Sequence, residues 1–83
     1  MAAFVKVRFF AGAADAAGRE EQLIDGTRSL ESLREELSAA YGAEFAAVLD
    51  RCSLMVDGVR ASAGDLVIAD SATVDVLPPF AGG

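Results

Sequence analysis

The 83-residue chain has no histidine, no tryptophan, one cysteine and two prolines. Without histidine it lacks the commonest acid–base group and metal ligand near neutral pH. A Ser-His-Asp arrangement is excluded for the same reason. The lone Cys52 rules out an intramolecular disulfide and a multi-cysteine zinc site. Its neighbours Asp50 and Arg51 offer no clear stabilisation of a thiolate, so Cys52 reads as a small core residue. Positive charge is scarce, with 7 Lys and Arg against 13 Asp and Glu and a net charge of −6. Nucleic-acid binding needs a basic footprint, and anionic membrane surfaces attract basic segments. Neither partner is expected, whereas a basic protein partner suits the charge. No apolar run approaches the ~18 residues of a membrane span. The start, Met1-Ala2-Ala3-Phe4-Val5-Lys6, lacks the basic segment and long apolar run of a signal peptide. A cytoplasmic protein in a reducing compartment is the expectation. No phosphate-binding glycine loop of recognised spacing occurs. The pairs Glu20-Glu21 and Glu35-Glu36 read as solvated charge.

What is present is an apolar chain, 53% hydrophobic, long enough for one domain with one modest core. Phe4 to Phe10 alternates, with Val5, Val7 and Phe9 on one face and Phe4, Lys6, Arg8 and Phe10 on the other, which predicts a half-buried strand. Ala11 to Gly18 reads as a loop or weak helical turn. Glu20 to Asp25 reads as a second strand, ended by Asp25-Gly26. Ser29 offers an N-cap. Leu30, Leu33, Leu37 and Ala40-Tyr41 then recur on one helical stripe, and Gly42 suits a left-handed C-terminal cap. Ala43 to Arg51 predicts a short helical turn with Phe45, Val48 and Leu49 inward. Asp57-Gly58, between Ser53–Val56 and Val59–Ala61, is a type I′ hairpin signal. Leu66 to Ile68 reads as a short apolar connection and Asp70-Ser71 as a turn. Thr73 to Leu77 predicts a last strand, Val74 and Val76 inward, Asp75 and Leu77 outward.

This order describes an α+β chain: a β-grasp, ubiquitin-like roll with a mixed sheet of about five strands and one main helix. A ferredoxin-like fold would need a second helix. The expected organisation is a β-grasp domain over 1–79 and a flexible diglycine tail over 80–83. Phe10 and Leu77 both fall on the outward face near the start of that tail. The first and last strands of such a roll are neighbours, so the two residues predict an exposed apolar patch for a partner.

The segment Pro78-Pro79-Phe80-Ala81-Gly82-Gly83 carries the sharpest signal. Both prolines of the chain stand here. They lack N–H groups and fix φ, so they end a strand and send the chain out extended. Six extended residues reach ~20 Å. Gly82 and Gly83 give a tip without side chains, able to enter a narrow channel and present a carboxylate. Phe80 either folds back on the body or anchors the tail in a partner.

Val5-Lys6-Val7-Arg8-Phe9-Phe10-Ala11 and Val74-Asp75-Val76-Leu77-Pro78-Pro79-Phe80-Ala81-Gly82-Gly83 together resemble the small subunit of molybdopterin synthase, one of the ubiquitin-related sulfur carriers. The Leu30/Leu33/Leu37 helix falls where that family has its helix. The resemblance covers essentially the whole chain and is specific mainly at its two ends. It implies a subunit that donates sulfur rather than a catalyst, and that binds no cofactor of its own. A partner activating enzyme, using ATP and magnesium, adenylates the Gly83 carboxylate. Sulfur is then delivered to give a thiocarboxylate. The tail of Pro78, Pro79, Phe80, Ala81 and Gly82 inserts into the large synthase subunit, where sulfur passes to cyclic pyranopterin monophosphate. The family usually has an acidic residue, Gly and Asp in the turn before the last strand. Here Asp70-Ser71-Ala72 stands instead, which predicts a looser turn, because Ser does not take positive φ cheaply. A carrier for another thiometabolite (thiamin thiazole, cysteine), a ubiquitin-like modifier joined through Gly83, and a passive interaction domain remain as alternatives.

Overall fold

The computed structural model describes residues 4–26, 28–61, 66–69 and 71–79. The expectations placed on the 80–83 tail and on Asp70 lie outside them. Strand β1, Phe4–Phe9, follows the alternation, with Val5, Val7 and Phe9 buried and the residues between them exposed. Helix α1, Gly12–Ala17, replaces the expected loop or weak turn. Its alanines favour helix, Ala13 is buried, and Gly18 closes it at φ 76° with its N–H bonded to the Ala14 carbonyl. Strand β2, Glu21–Asp25, pairs antiparallel with β1, Val5 opposite Ile24 and Arg8 opposite Glu21. A two-residue strand β3, Arg28–Ser29, leads into helix α2, Leu30–Tyr41.

The Ser29 hydroxyl accepts from the Ser32 N–H at 3.1 Å, as expected of an N-cap. Leu30, Leu33 and Leu37 point into the core, none more than 1% exposed. Burying each is worth about 1.5–3 kcal/mol. Gly42 ends α2 differently from expectation. Its φ is 94° and its ψ −175°, outside the left-handed helical region, although its N–H still bonds the Ser38 carbonyl. The reason is that Gly42 serves two helices at once. Helix α3, Ala43–Leu49, starts on the same residue, whose carbonyl accepts from Ala46 N–H at 3.0 Å. One glycine thus turns the chain from helix to helix. In α3, Phe45 and Leu49 are buried and Val48 only partly.

Strands β4, Ser53–Val56, and β5, Val59–Ala61, form the expected hairpin. Asp57 and Gly58 have φ of 50° and 83°, the two positive values a type I′ turn requires. The two-residue strand β6, Val67–Ile68, pairs with β3 in a small ladder that replaces the expected simple connection. It steadies the start of α2, since Leu30 N–H bonds the Leu66 carbonyl at 2.8 Å. Ser71 takes φ 67° despite its side chain, and its N–H bonds the Phe4 carbonyl at 2.9 Å. Serine therefore occupies the left-handed position that glycine would fill more cheaply.

Strand β7, Thr73–Leu77, completes a five-stranded sheet in the order β2-β1-β7-β4-β5. It lies parallel to β1 and antiparallel to β4. The helices cover one face, over Val5, Val7, Phe9, Leu54, Val74 and Val76. There Phe9 meets Tyr41 and Phe45 edge-on at 5.8 and 5.6 Å between ring centroids. The Tyr41 hydroxyl donates to Gln22 Oε1. The architecture is the β-grasp roll. A ferredoxin-like fold would place helices in two separate crossovers, whereas α2 and α3 run consecutively between the same strands.

Candidate functional site

The end of β1 and the end of β7 meet on the sheet face opposite the helices. Phe10 continues the parallel pairing, its N–H bonded to the Val76 carbonyl at 3.2 Å. Ala11 follows at φ 49° and ψ −125°, and Phe10 accepts at its carbonyl from Ala13 N–H at 3.0 Å. This is the shape of a type II′ turn, whose first central position favours glycine. Alanine takes that position here, and its carbonyl accepts from Asp15 N–H at 3.2 Å as α1 begins. The turn carries the chain into α1 and leaves Phe10 37% exposed. Leu77, opposite Ser53 in the β4–β7 register, is half-buried. Pro78 and Pro79 then leave the sheet.

Phe10 and Leu77 lie in one open groove of about 680 Å³, together with Ala11, Gly12, Ser53, Met55, Arg60, Pro78 and Pro79. The structure thus brings together four of the residues singled out in the sequence: Phe10, Leu77, Pro78 and Pro79. Phe80, Ala81, Gly82 and Gly83 lie outside the described residues. Met55 and Arg60 were missed, yet a signal for them existed. The Asp57-Gly58 hairpin fixes Met55 opposite Arg60, and the separate β4–β7 pairing sets Met55 opposite Asp75.

Beside the groove, Arg8 grips Asp75 with two bonds, Nε to Oδ1 at 2.6 Å and a terminal nitrogen to Oδ2 at 2.9 Å. That hydrogen bonding, and then the carboxylate charge, push the Arg8 guanidinium above its ordinary pKa. The same guanidinium sits 5.5 Å from the centroid of the Phe10 ring. Cys52, next in sequence to Ser53, packs into the core instead of lining the groove. Its Sγ donates to the Val48 carbonyl at 3.2 Å. Burial pushes its thiol pKa up, with the Arg34 charge a smaller opposing influence. Such a thiol is a poor nucleophile. Among the described residues no group of three or more His, Cys, Asp or Glu is placed to hold a metal ion. No helix among them is long and apolar enough to cross a membrane. The groove offers apolar contact area and one charge, which suits docking.

No curated protein sequence is significantly similar to the chain. Solved structures are similar over nearly its full length. A Pyrococcus furiosus chain described as molybdopterin converting factor subunit 1 is 26% identical, with 94% of this chain and 99% of that one covered and a TM-score of 0.81. The small archaeal modifier protein SAMP1 of Haloferax volcanii is 22% identical over 96% and 99%, with a TM-score of 0.79. A Helicobacter pylori chain, solved in a complex of subunits 1 and 2 of molybdopterin-converting factor, is 24% identical over 96% and 99%, with a TM-score of 0.74. The ThiS family profile matches residues 7–83, from β1 through the diglycine. The chain therefore belongs to the ThiS family of ubiquitin-fold sulfur carriers.

Proposed function

We propose that the chain is the sulfur-carrying small subunit of a molybdopterin synthase. The observation that carries this reading is the segment Pro78-Pro79-Phe80-Ala81-Gly82-Gly83, issuing from the central strand β7 beside an apolar groove. The likeness to the P. furiosus converting-factor subunit supports it. The H. pylori complex supplies a precedent for a second subunit docking on such a body.

A carboxylate is a poor acyl donor, so it must be activated. The Gly83 carboxylate oxygen attacks the α-phosphorus of ATP on the activating partner, and pyrophosphate leaves. Hydrosulfide supplied by the sulfur donor then attacks the acyl carbon, AMP leaves and the S–H proton is lost to solvent, giving a thiocarboxylate. ATP and magnesium belong to that partner; this chain contributes the reacting terminus and its presentation. Pro78 and Pro79 limit the entropy lost when the tail is inserted. Gly82 gives clearance in the channel. Phe10 and Leu77 dock the body on the large subunit, which sets how far the tail reaches. Inside it, sulfur passes to cyclic pyranopterin monophosphate.

The test is made at Gly83. Incubation with the cognate activating enzyme, ATP and a sulfur donor is expected to replace one terminal oxygen by sulfur, seen by intact-protein mass spectrometry and placed by fragmentation. Deleting Gly83, or adding one residue after it, is expected to abolish sulfur transfer while the fold is kept. The addition displaces the carboxylate by ~3.5 Å, enough to lose a near-attack geometry. Full pterin-sulfurating activity in either variant overturns the proposal. Loading with sulfur but no transfer to the pterin would point to another thiometabolite. An isopeptide-linked ladder in extracts would point to a protein modifier.

A further inference from the structure

Arg60 is the one charged side chain among the described residues lining the groove. It is exposed and makes no ion pair among the described residues. Its row across the sheet runs from Arg60 to Met55, Asp75 and Arg8. The row ends at Glu21, beyond Arg8 on β2, and Asp75, the carboxylate nearer Arg60, already accepts from Arg8 at both oxygens. Among the described residues a cation is therefore left uncompensated beside Phe10, Met55 and Leu77, on a chain whose net charge is −6. An apolar surface closing over this groove would strip water from that cation, which is costly unless an anion replaces the water.

We infer that Arg60 is a specificity-determining residue of the docking face, and that it pairs with a carboxylate on the large synthase subunit. The complementary surface is an apolar patch that carries one acidic side chain, not a uniformly basic one. The net charge alone would suggest a basic partner. Charge opposite Arg60 then rejects surfaces that are merely greasy or merely basic, because either leaves this arginine buried and unpaired. The inference rests on the synthase reading above.

The experiment titrates wild-type carrier and the variants Arg60→Glu, Arg60→Gln and Arg60→Lys with the large synthase subunit encoded in the same genome, at low and at high salt. Thermal unfolding of each variant is followed alongside. Arg60 is exposed on a short edge strand, so unfolding midpoints are expected to stay near wild type. Arg60→Glu is expected to weaken binding by about tenfold or more, with Arg60→Gln intermediate. Arg60→Lys keeps most of the affinity. Wild-type binding weakens as salt rises, and Arg60→Gln flattens that dependence. Glu and Gln variants that bind within about twofold of wild type would overturn the inference, because a solvated rim arginine contributes that little. If Phe10→Asp abolishes binding in the same assay while Arg60 variants do not, the synthase reading stands and the inference fails. If wild type itself does not bind the large subunit, the synthase reading fails and the inference falls with it.

Discussion

Arg8 and Asp75 face each other across the parallel β1–β7 pair, joined by bonds of 2.6 and 2.9 Å. The pair ties together the strand that ends in Phe10 and the strand that ends in Leu77. It is solvent-accessible, with the Arg8 side chain 46% exposed, so it sets local geometry more than global stability. Arg8→Ala is expected to shift the denaturant midpoint far less than a core truncation, and to weaken large-subunit binding through the freed Phe10 ring. Arg8→Lys is expected to recover little of that binding, because an ammonium cannot make the two-pronged contact. Calorimetric titration and urea unfolding check both expectations. A loss of stability as large as that of Leu37→Ala would show that the pair holds the fold itself.

Leu37, 1% exposed at the centre of the α2 stripe, is expected to be a stability residue alone. Leu37→Ala should cost about 2–5 kcal/mol. That is a large share of the roughly 5–15 kcal/mol total typical of native proteins. Urea unfolding reads it, and a change below about 0.5 kcal/mol, the size of an ordinary surface substitution, would contradict the packing.

Phe10→Asp and Leu77→Asp are expected to leave the fold largely intact and to abolish or strongly weaken docking. Each places a charge where an apolar contact must form, without a partner to replace its water. Phe10 is the cleaner probe, because Leu77 is half-buried. Circular dichroism with a pull-down of the large subunit separates the two effects. Unfolding of the Phe10 variant would place that ring in the core.

The raised thiol pKa of Cys52 gives stability a pH dependence at the alkaline end. An unfolded cysteine titrates near ~8.5. The folded thiol binds its proton more tightly than the unfolded one, so its contribution is complete below that value. It is lost as pH climbs from there through the higher folded value. Unfolding free energy measured from pH 7 to 10 should therefore fall, and Cys52→Ala should flatten part of that fall. Ellman's reagent should react slowly with native protein and quickly in urea. Rapid native modification would contradict the buried setting.

Periodicity made most of the body legible. The alternation of β1 and β7, the leucine stripe of α2 and the Asp57-Gly58 hairpin all lie where their patterns placed them, because each buries one face at a fixed repeat. The differences arise where local chemistry is ambiguous. Six residues of α1 are rich in alanine but begin with glycine, so only packing over Ala13 decides between turn and helix. The β3–β6 ladder is two residues long on each strand, too short for any repeat to register. Ala11 and Ser71 adopt positive φ without being glycine, so neither turn announces its shape. In the groove, Phe10 and Leu77 were readable from strand phase alone. Met55 and Arg60 required the hairpin register to be carried across three strands.

The position of β7 has a mechanical consequence. It is flanked on both sides, by β1 and by β4, and the chain leaves it directly at Pro78. Traction on the C-terminal segment is borne along the strand axis, so the ladders on both sides are loaded in shear together rather than peeled one bond at a time. β1, its parallel neighbour, is in turn braced by β2. A body built this way keeps its fold while the segment that follows β7 is under tension.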